Sequence, residues 1–215
     1  GVTFDLCSPY GDAKVTSPLV GAFQVENILA AMGALLSAGH ALSQIVSAVA
    51  EISAIPGRMQ VFGGGDLPYV VVDYAHTAHA LEAALVNLKP FCQQQLWCVF
   101  GCGGDRDPAR RPGMGKVAER YSDQIVITTD NPRHEDPEAI GKAIVDSLLC
   151  PWAATVEHDR CAAIAYAIQN AKAGDVILVA GKGHETSQII GDEAMWHSDV
   201  EQVLSQLSVR GCSAL

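Results

Sequence analysis

Four short apolar runs in this chain are each followed at once by a cluster of charged residues or glycines. That pairing restricts the fold more than any other feature of the sequence. Tyr69-Val70-Val71-Val72 leads into Asp73-Tyr74-Ala75-His76-Thr77, and Leu96-Trp97-Cys98-Val99-Phe100 into Gly101-Cys102-Gly103-Gly104-Asp105-Arg106-Asp107. Ile125-Val126-Ile127-Thr128 precedes Asp130-Asn131-Pro132-Arg133, and Val176-Ile177-Leu178-Val179-Ala180 precedes Gly181-Lys182-Gly183-His184-Glu185. Short β-branched runs bounded by turn residues read as buried strands. In parallel α/β sheets, ligands bind beyond the carboxyl ends of the strands. One sheet would therefore gather Asp, His, Glu and several Arg or Lys around a single crevice, a site suited to a charged small molecule.

The rest of the chain fits such a sheet. Helical patterns near Ala80–Leu88, Gly113–Arg120, Pro137–Leu149, Asp159–Ala171 and Val200–Leu207 alternate with the runs, and a further short strand is expected at Ala154–Glu157. This alternation predicts a Rossmann-like α/β fold with a mostly parallel, doubly wound sheet. Met59–Phe62 should turn through Gly63-Gly64-Gly65-Asp66 into Tyr69–Val72, and Ser187–Ile190 with Gly191-Asp192 is expected to add an antiparallel edge. Residues 1–20 read as a hairpin turned at Ser8-Pro9-Tyr10-Gly11. Two helices follow, at Gln24–Ala38 with Gly39 as C-cap and at Ser43–Glu51. Ile55-Pro56-Gly57 breaks the pattern, so a domain boundary is expected near Gly57, giving domains 1–57 and 58–215.

Composition narrows the partners. With 215 residues, 49% of them hydrophobic and 18% charged, the chain can bury a core in one or two domains. No apolar run is long enough to span a bilayer, so membrane insertion is not expected. A net charge of −10 disfavours nucleic acid as a partner. Seven cysteines, without paired zinc spacing or CxxC, read as buried free thiols in a reducing cytosol, with Cys98, Cys102, Cys150 and Cys161 in or beside apolar segments. The first residue is Gly1, and Val2–Leu6 reads as a strand inside something larger; the natural N-terminus is expected to lie upstream.

Taken singly, each cluster also fits an ordinary turn. The Gly101 loop fails the dinucleotide fingerprint, because Arg106 stands where the third glycine belongs. Lys182 is followed by Gly183, not by Ser or Thr, so the Gly181 loop is not a phosphate-cradling P-loop. Arg133 beside Asp130, Asn131 and Pro132 suits two-pronged carboxylate recognition, and Glu185 could pair with an ammonium group. Asp73 with His76 could hold a phosphate, a metal-bound water or an amine. His79, His40 and His158 are read as structural. Asn27, early in a hydrophobic helix, reads on pattern as solvent-facing. On these residues alone a non-catalytic ligand-binding or interaction module and a dehydrogenase stay open.

The ordered set resembles the Mur ligases, ATP-dependent amide-forming enzymes of peptidoglycan synthesis. It is carried by Phe23-Gln24-Val25-Glu26-Asn27-Ile28-Leu29-Ala30-Ala31, Gly57-Arg58-Met59, Asp73–Thr77, Gly101–Asp107 with Arg111-Pro112, Asp130–Arg133 and Ala180–Glu185, in family order. Among family members it is most similar to those that add meso-diaminopimelate to UDP-MurNAc-L-Ala-D-Glu, in the cytoplasm. The resemblance implies ATP and Mg2+ as cofactors and both of those compounds as substrates. It implies that Asn27, Arg58, Asp73 and His76 face ATP, with Asp73 and His76 catalytic. Arg106, Asp130, Asn131, Pro132, Arg133, Gly181 and Glu185 would bind meso-diaminopimelate. Residues 1–57 would be the tail of a central ATP-binding domain and 58–215 the amino-acid-binding domain.

Two positions depart from the family pattern: Ala78-His79 replaces a usual Pro-Asp, and Asp107-Pro108-Ala109-Arg110-Arg111 lacks the usual Lys-Gly-Lys character. No G-x-x-x-x-G-K-[ST] occurs; Gly113-Met114-Gly115-Lys116 is followed by Val117. Family members carry that loop upstream. The N-terminal and central domains are therefore expected partners, and the chain is expected to be inactive alone.

Overall fold

The computed structural model describes residues 1–213, with side chains as far as residue 211. It divides into two compact units, Gly1–Ile55 and Pro56–Leu215. In the first unit, β1 (Val2–Ser8) and β2 (Gly11–Ser17) form an antiparallel hairpin, followed by α1 (Phe23–Ser37) and α2 (Leu42–Glu51). Gly39 ends α1 at φ 91°, a left-handed conformation open to glycine, and the His40 N–H closes the turn on the Leu35 carbonyl. Val15, Ile28, Met32, Leu36, Ile45 and Val49 form this unit's core. Only part of the apolar face expected of α1 is buried: Leu29 and Leu35 stay exposed.

The second unit is built on a six-stranded sheet. Its strands are β3 (Gln60–Gly63), β4 (Tyr69–Asp73), β5 (Leu96–Phe100), β6 (Gln124–Ile127), β7 (Ala154–Val156) and β8 (Val176–Ala180), in the order β3-β4-β8-β5-β6-β7. All pairings are parallel except β3 with β4. Buried on both faces, β5 and β8 read as unbroken apolar runs, as central parallel strands must. The connections are α3 (Ala78–Leu88), α4 (Arg110–Tyr121), α5 (Pro137–Val145) and α6 (Arg160–Asn170), and α7 (Asp199–Ser213) closes the chain. Ala163, Ile164, Ala167 and Ile168 of α6 and Val203 and Leu207 of α7 pack on one face of the sheet against Val70, Val72, Val99, Val126 and Val179. Alternate strand residues point to the other face, where Leu81, Leu85, Met114 and Ile144 are buried.

The structure corrects three expectations. Ser187–Ile190 does not extend the central sheet. With Glu193–Trp196 it forms a separate hairpin, β9 and β10, and the antiparallel edge is β3. Helix α4 starts at Arg110 rather than Gly113, so Arg110 and Arg111 belong to its first turn and not to a loop. Of the cysteines expected to be buried, Cys98 and Cys102 are, but Cys150 is exposed and Cys161 half-buried. Cys212 lies outside the side chains described. Helix α3 starts without the expected proline because Thr77 caps it, its hydroxyl accepting from the Ala80 N–H at 3.3 Å. Among the described residues no helix is long and apolar enough to cross a membrane.

Candidate functional site

The loops after β4, β5, β6 and β8 meet at the carboxyl edge of the sheet around a cleft of about 230 Å³. Tyr74, His76, Gly101, Cys102, Gly103, Arg106, Asp107, Arg110, Arg111, Asp130, Asn131, Arg133, Gly181 and Glu185 line it. Chain reversal places β8 between β4 and β5, and such switch points open a crevice. The loops pack backbone on backbone there. A Cβ on Gly104 would collide with the Pro132 carbonyl oxygen, and one on Gly181 would lie 2.6 Å from Asp130 Oδ2. These glycines let the loops close; they are not a nucleotide fingerprint.

One wall is a network of mutually bonded side chains. Lys182 is fully buried and donates from Nζ to Asn131 Oδ1 at 2.8 Å and to Glu185 Oε2 at 2.9 Å. Asn131 Nδ2 donates to the same Glu185 oxygen at 2.9 Å, and Asn131 Oδ1 also accepts from the Ile189 N–H at 3.0 Å. Burial opposes charge on Glu185, but the bonds from Lys182 and Asn131 and the nearby Arg133 charge outweigh it and hold the carboxyl below its ordinary range. Glu185 Oε1 accepts no hydrogen bond from the described residues. Asp130 accepts the Asn131 N–H on Oδ1 at 2.7 Å, and its Oδ2 likewise has no hydrogen-bond donor among them.

Arg133 sits at φ 52°, a backbone region uncommon for a side-chain-bearing residue. It is pinned by its N–H to the Ile189 carbonyl at 3.0 Å and by its carbonyl to the Gly191 N–H at 2.7 Å. Its Nη1 donates to the Gly104 carbonyl at 2.8 Å and lies 3.4 Å from the Asn131 carbonyl, while Nη2 and Nε donate to no described residue. Arg106 and Arg110 are exposed and make no ion pair among the described residues. Pro132 is buried and does not line the cleft.

The residues read as ATP-facing do not all reach this cleft. His76 lines it, with Nδ1 2.8 Å from the Tyr74 carbonyl oxygen. Asp73 does not: its carboxylate accepts from the Met59 N–H and the Ala75 N–H, each at 2.9 Å, and holds Met59 at φ 46°. Arg58 lies with its guanidinium carbon 4.2 Å from the centre of the Tyr74 ring. Asn27 belongs to the first unit, exposed on α1, and donates to Gln24 Oε1 at 3.2 Å.

The sequence reading missed several supporting groups. Lys182 is one; it pairs with Glu185 three positions on in a glycine-flanked turn, where no helical spacing announces the contact. Arg111, nearly buried, pairs with Glu135 at 2.7 Å, whose other oxygen accepts the Asp105 N–H at 2.7 Å. Arg160 makes a two-pronged pair with Asp199, 2.7 Å on each prong, and caps the Ala180 carbonyl at the end of β8 at 2.9 Å. Burial opposes the Asp199 charge, but Arg160 and His197 hold its pKa far below the usual carboxylate range. No sequence signal pointed to this pair, because its partners are 39 residues apart.

Residues 57–183 match the family model described as Mur ligase, glutamate ligase domain. A UDP-N-acetylmuramoyl-L-alanyl-D-glutamate–2,6-diaminopimelate ligase from Ralstonia nicotianae is 47% identical over 217 residues, covering 100% of this chain and 42% of the relative. One of the same name from Vibrio parahaemolyticus is 44% identical over 209 residues, covering 97% and 42%. A solved structure of such a ligase has a TM-score of 0.73 at 42% identity, covering 97% of this chain and 43% of that one. The chain thus spans less than half the length of the relatives it matches. From the matched domain and this identity over its whole length, the chain belongs to the Mur ligase family.

Proposed function

We propose that this chain is the amino-acid-receiving part of an ATP-dependent ligase that joins meso-diaminopimelate to UDP-MurNAc-L-Ala-D-Glu. One observation carries the reading: the open valences of the cleft are those of a zwitterion's partner. Asp130 Oδ2 and Glu185 Oε1 are unfilled acceptors for ammonium groups, and the free edge of Arg133, with Arg106, supplies donors for carboxylates. Meso-diaminopimelate carries both kinds of group at both ends. The names of the relatives, which share 44–47% identity with this chain, support the same substrate.

In this reading the γ-phosphoryl group of ATP passes to the D-Glu side-chain carboxylate, giving an acyl phosphate and ADP. The free amine of meso-diaminopimelate attacks the acyl carbon, the C–N bond forms, phosphate leaves, and the amine loses its proton. This chain contributes positioning and charge. Arg133 orients the amino acid. Asp73, with both oxygens committed to backbone, ties the segment before β3 that carries Arg58 to the loop after β4 that carries His76, and both are proposed to face nucleotide. Asn27 is proposed as a further nucleotide contact. Residues 1–57 are proposed as the tail of the ATP-binding domain, and the P-loop and acceptor site as parts of upstream domains. Mg2+ is proposed to enter with the ATP phosphates; among the described residues no group of three or more His, Cys, Asp or Glu could hold a metal ion.

The test is the full-length ligase assayed for kcat/KM with meso-diaminopimelate and with L-lysine, which lacks the distal carboxylate. Sites built around polar groups reject analogues without the partner by up to ~10⁴-fold or more. A wide preference for meso-diaminopimelate is expected; equal use of lysine would sink the assignment.

A further inference from the structure

His134 follows Arg133 directly, and its side chain is 62% exposed, so it does not serve the core. Its Nδ1 lies 2.8 Å from Asp105 Oδ2 and its Nε2 3.1 Å from Asp192 Oδ1. A neutral imidazole has one N–H and one lone pair, so it can satisfy only one carboxylate; both contacts are favourable only for imidazolium, which donates twice. The three residues come from three segments: the loop after β5, the loop after β6, and the turn of the β9–β10 hairpin. That hairpin already holds the backbone of Arg133 through Ile189 and Gly191. Asp105, like Arg133, sits at positive φ, 51° against 52°, a backbone state that non-glycine residues keep only under constraint. The other charged groups around the cluster are Arg133, which bears on Asp105, and Glu135, which takes the Asp105 N–H and holds Arg111 of α4.

We propose that protonated His134 is a positioning residue for Arg133. It staples the Asp105 loop and the Asp192 turn onto the loop that carries the guanidinium fork, so amino-acid binding weakens when the imidazole loses its proton. The inference rests on the amino-acid reading of the cleft. The two carboxylates, Asp105 foremost, push the His134 pKa above its ordinary value, and His134 in turn holds Asp105 below its own. The staple is therefore complete below pH 6.5, the ordinary imidazole value, and is lost as pH rises through the raised one. An exposed charge pair is weak, so the expected change is modest, about two- to five-fold in KM.

The experiment compares full-length ligases carrying His134, His134→Gln or His134→Arg, with KM and kcat for meso-diaminopimelate followed from pH 6 to 9. Taking the ratio of wild type to His134→Arg removes the titration of the amine substrate. Arginine keeps a permanent double donor, so that KM ratio should start near one and climb with pH, while kcat moves less. His134→Gln should have the higher KM already at pH 6. An NMR titration of His134 should give a raised pKa that falls towards the ordinary value in Asp105→Asn and Asp192→Asn. A pH-independent ratio, or a His134→Gln enzyme matching wild type at pH 6, would overturn the proposal. Arg133→Ala separates the two levels. If it raises KM while His134→Gln does nothing, only the staple fails; if Arg133→Ala also leaves KM untouched, the amino-acid reading fails and the staple with it.

Discussion

The two walls of the cleft contrast in how their charges are spent. On one, Lys182, Asn131 and Glu185 satisfy one another, and Arg133 has one nitrogen on the Gly104 carbonyl. On the other, Arg106 and Arg110 reach the cleft from exposed positions with no ion pair among the described residues. The first wall is bonded to itself before any ligand arrives, and the Glu185 carboxylate is held charged by the fold. The second must give up side-chain freedom on binding, at a cost of up to about 2 kcal/mol for a residue of this kind. The difference teaches that, in the proposed amino-acid site, the recognition groups divide into a pre-bonded template and an exposed clamp. Mutations should tell them apart: the mutually bonded Lys182, Asn131 and Glu185 should move stability, and the groups that keep open donors, Arg133 and Arg106, chiefly activity.

The sharpest break would come at Lys182. Lys182→Met removes a fully buried cation and leaves the partly exposed Glu185 with Asn131 as its one side-chain donor, so it should destabilise the fold by about 2–3 kcal/mol, read as a lower denaturation midpoint. A midpoint within error of wild type would mean that the first wall is no template. At Arg133 the effect should appear in catalysis. Arg133→Ala in the full-length ligase should cut kcat/KM for meso-diaminopimelate by about 10²-fold or more, corresponding to the roughly 2–5 kcal/mol lost when a charged partner is truncated. It should erase most of the preference over lysine. Arg133→Lys should restore only part, because a point charge does not replace a fork. The smallest effect is expected at Arg106. Arg106→Ala should lower kcat/KM by about two- to five-fold, the scale of an exposed charge pair, while the melting temperature stays put. A clear loss of stability there would dissolve the contrast between the walls.

How much was legible in the sequence differs by type of information. All six strands of the central sheet were visible: the four inner ones as short, largely buried apolar runs that need no knowledge of neighbours, and the edge strands β3 and β7, which hold no buried residue, by their place in the alternation of strand, turn and helix. The cleft-lining loops were visible for the same reason: each starts where an apolar run stops. The Ser187–Ile190 strand was seen, but its membership of the central sheet was wrong. A strand pattern says that a segment pairs, not with what, and here the partner is Glu193–Trp196. The start of α4 was missed because Asp107-Pro108-Ala109-Arg110-Arg111 has turn residues and no apolar period, and the buried Arg111 is anchored instead by Glu135.

What the sequence determined by itself is the alternation of strand and helix, the parallel sheet it demands, and the set of charged loops gathered at one sheet edge. These follow from local periodicity and from the rule that a parallel sheet exposes its chemistry beyond its carboxyl ends. Only tertiary structure decided which charges face a ligand and which face each other. Lys182 and Arg106 are alike on paper as basic residues in glycine-rich loops, yet one is fully buried between Asn131 and Glu185 and the other is exposed. The physical reason is that a hydrogen bond between residues 51 or 54 positions apart is a matter of distance in the folded chain. No periodicity along the sequence records that distance.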